Sequence, residues 1–501
     1  MAQPSTPLPK LQLTTAILIQ AAEALSATVI FPFVPQFVRD TGITGGDERK
    51  TGYWAGVLES VFFVAEFLSV YSWGRASDRF GRRPILLLGP LGLALSLIGF
   101  GLSKSFVSLV VFRCAQGVFN GNIGMNVSNG LPFEPGVVKT VMAEIADSSN
   151  LAQIMAFIPV AWSSGSTLGP IIGGLFSNPE EQWPSTFGKL RILRENPYLL
   201  PCGVVGFLSL SFFFLGLVTL KESSPMILAR QKRERLRVST PTDPTLTTSL
   251  MYGDTTMYGA IAGADADDVP IETGEPESLP VDEDLPTMGE LLVPRLLIPL
   301  LNYGFFCFSQ TAFQVLYPLM YSTSIPNGGL AFSPYQIGVT RGIWGVLNAF
   351  SQLFVTARLI RRFGARTIYI FAFGNFTICI GAYPLLSFFA QRAQKVDAIV
   401  WAIVVVQLIS NLAIGMAYSS AQLYIVHSSP RPSALSSTNS LAQMVSTVVR
   451  SLAPFIASAL FAVSLEWNLA GDYMVYIFLL AVVAAGIFSS FLLPSDPKDA
   501  R

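Results

Sequence analysis

The sequence predicts an all-α integral membrane protein of twelve transmembrane helices in two pseudo-symmetric six-helix bundles. Three observations carry that expectation: a charge content far below that of water-soluble chains, twelve apolar stretches of crossing length, and a basic loop string that occurs once in each half. Hydrophobic residues make up 51% of the 501 and charged ones 13%, against roughly a quarter charged in a soluble domain. A chain this apolar cannot hide its surface from water, so the lipid bilayer is its expected solvent. Lys plus Arg and Asp plus Glu balance at 32 each, and net charge therefore gives no hint of nucleic acid. Cys114, Cys202, Cys307 and Cys379 lie inside apolar stretches without CxxC spacing, which suggests packing residues rather than disulfides or a zinc site.

A bilayer crossing needs about 20 mainly apolar residues. The first half supplies them at 13–38, 52–71, 84–102, 106–125, 151–176 and 198–220. The second half does so at 292–320, 334–356, 367–390, 398–424, 434–463 and 474–493. Barrel strands would be about half as long and would alternate in polarity, so the stretches are read as helices. The first follows a short polar leader ending at Lys10 and runs on without an A-x-A site; it is read as a span and not as a cleaved signal.

Orientation follows from arginine in short loops. Arg75, Arg79, Arg82 and Arg83 follow the second span, and Arg358, Arg361, Arg362 and Arg366 follow the eighth, whereas the loop between spans seven and eight carries no charge. Both basic loops are expected to be cytosolic, and with twelve crossings so are both termini. Residues 221–290 differ in kind. They open with Arg230, Lys232, Arg233, Arg235 and Arg237 and turn acidic through Asp265, Asp267, Asp268, Glu272, Glu275 and Glu277 among many Thr, Pro and Gly. Such a segment cannot bury enough apolar surface to fold and is expected to be a disordered cytosolic linker. Its basic end suits anionic lipid, with regulatory docking as the alternative. The expected units are a bundle at 1–220, a linker at 221–290 and a bundle at 291–501.

The halves repeat. Residues 74–83, GRASDRFGRR, align without a gap on residues 357–366, ARLIRRFGAR, with five of ten positions identical. Internal duplication of six spans is the signature of secondary transporters, whose solute site lies near mid-membrane between the repeats. The string W-G-R-A-S-D-R-F-G-R-R-P from Trp73 to Pro84 resembles the loop motif of the major facilitator superfamily. Its leading Trp-Gly and trailing Pro resemble the zinc-induced-facilitator-like branch of plants and fungi. Arg113-x-x-Gln116-Gly117-x-x-Asn120-Gly121 in span four is a second match, and Gly165-Ser-Thr-Leu-Gly169-Pro170-Ile-Ile-Gly173-Gly174 in span five is similar to the motif typical of antiporters. Asn439, Gln443, Arg450 and Pro454 in span eleven resemble the same branch.

The motifs also have physical reasons of their own. Gly74 and Gly81 permit tight turns and close helix approach, while Asp78 can cap a helix or pair with Arg79 or Arg82. The resemblance implies that this cluster, with Arg83, latches the cytosolic side of one state. Arg361 stands where Asp78 would fall in the second half, so a latch there is degenerate. Gly165, Gly169 and Gly173 recur every four residues beside Pro170 and Gly174. This is either ordinary close packing or a kinked, tightly sealed interface that rocks between the halves, and the resemblance to antiporters favours the second.

Ionisable groups inside spans are costly and are functional candidates by default. Glu23 lies about ten residues, or roughly 15 Å, into span one, and Arg113 at a similar depth in span four. The two could pair across the first half. Burial disfavours an ionised carboxyl and a guanidinium favours it, a balance that would let Glu23 bind and release a proton. The alternatives are a purely structural ion pair, or Glu59 or Glu66 in span two as the titrating acid. Arg341 and Arg450 are the second half's intramembrane charges. His427, the one histidine, has no second ligand, and neither a metal nor a cofactor is expected.

Polar stripes outline a solute path through Gln116 and Asn120 in span four, Gln310, Gln314 and Tyr317 in span seven, and Gln407, Asn411 and Tyr418 in span ten. The resemblance implies that spans one, four, seven and ten line the cavity. Amide and phenol groups suit a small neutral or amphipathic organic solute, with interhelical polar glue as the alternative use. No P-loop, paired catalytic carboxylates or nucleophile motif stands out, so an enzyme is not expected. The resulting expectation is a monomeric, proton-coupled antiporter that exports a small organic solute. Two competitors are a sugar-type importer, faintly suggested by Glu222-Ser-Ser-Pro225, and a non-transporting sensor that signals through the linker.

Overall fold

The computed structural model describes residues 10–128, 131–135, 141–142, 151–223, 227, 293–429 and 435–495. The expected linker therefore falls almost wholly outside the described residues. Residues 1–223 and 286–501 form one compact unit.

The first-half helices are α1 (Lys10–Thr28, resuming at Val34–Asp40), α2 (Thr51–Phe80), α3 (Arg82–Gly101), α4 (Phe106–Gly124), α5 (Leu151–Phe176) and α6 (Leu199–Thr219). Those of the second half are α7 (Pro294–Ser322), α8 (Pro334–Ser351), α9 (Ala365–Ala393), α10 (Ala398–His427), α11 (Leu435–Glu466) and α12 (Met474–Ser490). Eight helices among the described residues are long and apolar enough to cross a membrane, while α4 and α12 are shorter apolar helices. Side chains such as Val218, 86% exposed, and Phe488, 74% exposed, make sense with lipid as solvent.

Three local departures from uniform helices have physical causes. The first span breaks after Thr28, where Pro32 has no N–H to donate, and restarts with Pro35 near the new N-terminus. In α8 the ladder widens into a π turn at Gln352–Thr356 before Ala357–Phe363. After α4, a short antiparallel hairpin pairs Met125–Ser128 with Leu131–Pro135, the one strand pair in an otherwise helical chain among the described residues.

The sequence repeat is visible in the turns. Gly81 (φ 103°, ψ 159°) separates α2 from α3, and Gly364 (φ 82°, ψ 152°) separates the extended α8 from α9. Such positive φ values strain any residue with a Cβ. Arg83 Nη2 donates to the Leu217 carbonyl at the end of α6 (2.6 Å), and Arg366 Nη2 does the same to Phe491 just past α12 (2.5 Å).

The halves meet along two glycine-lined seams, and the hairpin strand Leu131–Pro135 also contacts α11. Gly174 faces Gly338 between α5 and α8, where an added Cβ would lie 2.7 Å from the opposing Cα. Gly52 and Gly56 of α2 admit Ser458 of α11. At the face away from the arginine loops a polar clamp joins the halves. Glu48 binds Arg39 (2.9 Å) and accepts from Ser324 N (3.2 Å) and Asn327 Nδ2 (3.1 Å), while Arg39 Nη2 donates to the Ser322 carbonyl (3.2 Å). Tyr53 donates to Glu466 (3.0 Å), with Lys50 3.9 Å from the same carboxylate. These polar links between the halves all lie at the distal face.

Candidate functional site: a buried acid, arginine and amide cluster

Three helices of the first half bring their polar residues to one place. Glu23 comes from α1, Glu59 from α2, and Arg113, Gln116 and Asn120 from α4, where spacings of three and four keep them on one helix face. All five are at most 4% exposed. Arg113 Nη2 donates to Glu59 Oε2 at 3.0 Å and Nη1 to Gln116 Oε1 at 2.9 Å, and the guanidinium lies 4.3 Å from the centre of the Phe62 ring. The carbonyl of Ala27 lies 3.5 Å from Nη2.

The expected Glu23–Arg113 pair is thus corrected: the carboxylate on Arg113 is Glu59. Glu23 instead accepts from Asn120 Nδ2 at 3.3 Å and from Gln20, one turn earlier on its own helix. The reason is rotational, since α2 turns Glu59 inward although this helix also carries the seam to α11. Glu66, two turns further along α2, is partly exposed and lies within electrostatic reach of Arg450 across the seam. The amide oxygens of Gln20 and Asn120 and the amide nitrogen of Gln116 are buried without a partner, so the cluster has unused hydrogen-bonding capacity.

In the second half the predicted stripe divides. Gln407 accepts from Tyr321 (2.7 Å) and donates to the Cys379 carbonyl (2.7 Å), so its amide is spent holding α7, α9 and α10 together. Tyr317 donates to Thr340 (2.7 Å). Gln310 Oε1 and Asn411 Nδ2 are buried and unpaired, Gln314 is half-buried, and Tyr418 is exposed beside the rings of Tyr303 and Phe306.

The loop motif is held by a residue whose role the sequence reading did not assign. Glu222, just past α6, accepts from Arg82 N (2.8 Å) and Arg83 N (3.2 Å) and so caps α3. Arg82 also donates to Ser77 (2.9 Å), Trp73 ties α2 to the Val118 carbonyl of α4 (2.6 Å), and Arg79 is exposed over the Phe80 ring. Gly74 is buried in α2. The side chain of Asp78 lies outside the described residues. Each of these motif contacts stays within the first half.

Helix α5 has two small-residue faces. Gly165, Gly169 and Gly173 abut Ala21, Thr28 and Val29 of α1, where an added Cβ would come within 2.0–2.6 Å of the nearest atom. Only the neighbouring face, with Thr167, Pro170, Ile171 and Gly174, meets α8. The glycine run expected between the halves therefore seals the first bundle internally, and α5 continues as helix through Pro170 to Phe176.

Two repeats of membrane-length helices around buried ionisable groups are the architecture of a membrane transporter. The profile of the Major Facilitator Superfamily matches residues 16–454 and 299–501, and the chain belongs to that superfamily. It is similar to the major facilitator-type transporter psiT2 of Psilocybe cyanescens, at 29% identity over 98% of this chain and 92% of that protein. It also resembles efflux pump azaK of Aspergillus niger (24%; 96% and 87%) and ZINC INDUCED FACILITATOR-LIKE 1 of Arabidopsis thaliana (23%; 96% and 91%). A solved D-xylose-proton symporter shares the fold, with a TM-score of 0.63 at 16% identity over 98% of this chain and 99% of that one.

Proposed function

We propose that this transporter acts as a monomer and exports a small organic solute in exchange for protons by alternating access, with the arginine loops and both termini in the cytosol. The observation that carries the reading is the cluster of acids, arginine and amides buried within the first half. Glu23, Glu59 and Glu66 occupy membrane-spanning helices, with Arg113 bound to Glu59 and Arg450 within electrostatic reach of Glu66. An ionised carboxyl inside a bilayer is costly, and binding a proton lowers that cost. Glu59 is committed to Arg113, and Glu23, which accepts from the amides of Asn120 and Gln20, serves as the proton carrier in this reading. The distal clamp then ties the halves together at the outward side. The similarity to an efflux pump of A. niger supports the export direction.

The test is proton flux in proteoliposomes challenged with a panel of organic acids, metal chelates and amphipathic toxins. A solute of the panel should drive protons in the opposite sense. Glu23→Gln should abolish transport driven by a pH gradient and leave equilibrium exchange of that solute. Wild-type pH dependence in Glu23→Gln would move the proton to Glu59 or Glu66, and co-directional flux would favour the importer reading.

A further inference from the structure

The second half holds a buried cation that no side chain neutralises among the described residues. Arg341 of α8 is 8% exposed, and its Nη1 is buried with no hydrogen-bond partner. Its guanidinium lies 4.2 Å from the centre of the Trp344 ring and 5.5 Å from that of Tyr317. Ring faces attract the charge but do not take up the five N–H donors, which point outward in the plane of the group.

Arg113 shows what a neutralised guanidinium looks like. It too stacks on a ring, at Phe62, and its Nε is also buried and unpaired, yet Nη1 and Nη2 donate to Gln116 and Glu59 oxygens. Arg341 has no such oxygens, and the second half has none to offer: no Asp or Glu occurs in α7, α8, α9 or α10, or in α11 before Glu466 at its last position. A further donor stands unused nearby in the fold. Tyr321, next to Tyr317 in the ring stack, holds Gln407, and one turn along α10 from Gln407 the Nδ2 of Asn411 is buried and unpaired.

We infer that Arg341 receives an anionic group of the solute, a carboxylate on a compact, largely apolar body, with the Trp344 and Tyr317 rings holding the guanidinium in place. A carboxylate matches the planar fork of donors and removes the unmet charge. The inference deepens the transport reading by naming the class of cargo, and it rests on that reading only for the claim that the bound anion is transported.

Binding is tested without transport, on the purified full-length protein in lipid-free detergent. The probes are 1-naphthoate, benzoate and cyclohexanecarboxylate, each beside its neutral amide, with phosphatidylglycerol as a lipid anion. At least one carboxylate should raise the thermal unfolding temperature by several degrees while its amide does not. Arg341→Gln should weaken that response by roughly ten- to a hundredfold, and Arg341→Lys should retain part of it. If Arg341→Gln does not fold, the wild-type tryptophan fluorescence serves instead: the carboxylate should change it, its amide should not, and Trp344→Phe should remove the change. An amide as effective as its acid, no response to any carboxylate, an undiminished response in Arg341→Gln, or phosphatidylglycerol displacing the carboxylates each overturns the inference. Carboxylate binding without counter-moving protons would refute the transport reading alone. Proton exchange without carboxylate binding would refute this one alone.

Discussion

Arg113 is held on several sides, by Glu59, by Gln116 and by the face of Phe62, and the energetics of such a residue are asymmetric. Removing one member of a buried pair leaves a bare charge and costs about 3–5 kcal/mol, whereas replacing both partners is often tolerated. Glu59→Gln and Arg113→Gln alone should therefore each lower thermal stability in detergent steeply, and the double variant should recover much of the loss. Additive losses would show that the two groups act independently. Sequence reasoning marked Glu23, Glu59, Glu66 and Arg113 because charge in a membrane is costly. It could not assign partners, since pairing depends on how α1, α2 and α4 are rotated about their own axes. Gln20 was legible in principle, three residues before Glu23 and so on the same helix face.

Among the elements, α5 is the most demanding, because its small residues serve two neighbours. Gly169→Leu places a side chain where Thr28 and the Val29 backbone of α1 already lie, overpacking that costs roughly 1–3 kcal/mol. We expect membrane insertion to survive and transport to fall at least about tenfold, with unchanged exchange counting against a sealing role. Gly174→Leu strikes Gly338 of the other half instead and should hold the distal seam apart. The readout is Ser458→Cys in a background without the native cysteines. Ser458 is fully buried opposite Gly52 and Gly56, and its labelling by an impermeant maleimide should rise with Gly174→Leu and not with Gly169→Leu. The glycine spacing was plain in the sequence, but which face met which helix was not, because 165/169/173 and 167/171/174 are both valid helical stripes.

At the scale of the whole molecule, the clamp at the distal face is a polar tie between the halves beside the glycine seams. Its central ion pair, Arg39 with Glu48, is about one-fifth exposed on each side, and pairs of this kind contribute about 1 kcal/mol or less each. Glu48→Ala also frees the Ser324 and Asn327 donors, so opening of this face should become up to about tenfold more populated. The same Ser458→Cys labelling measures it, and unchanged labelling would mean that the glycine seams alone keep the face shut. Deleting residues 254–284 should leave insertion and transport largely intact, because their composition offers no core to either bundle; loss of inserted protein would refute this.

The sequence by itself determined the solvent, the number of crossings, the repeat and the superfamily, because each is written in local composition or in short contiguous strings. The repeated string that carries Gly81, Arg83, Gly364 and Arg366 belongs to that legible part, whereas the anchoring of Arg83 and Arg366 on helix-end carbonyls does not. The tertiary structure decided who meets whom: Glu59 rather than Glu23 on Arg113, Glu222 as the cap of α3, Gly173 against Val29, Glu48 across the halves, and Arg341 on the ring of Tyr317. Each of these joins residues far apart in the chain, and each depends on helix rotation and axial shift. A stripe of small or polar residues limits those two quantities but does not specify them, because several rotations bury it equally well and only the packing of all neighbours selects one.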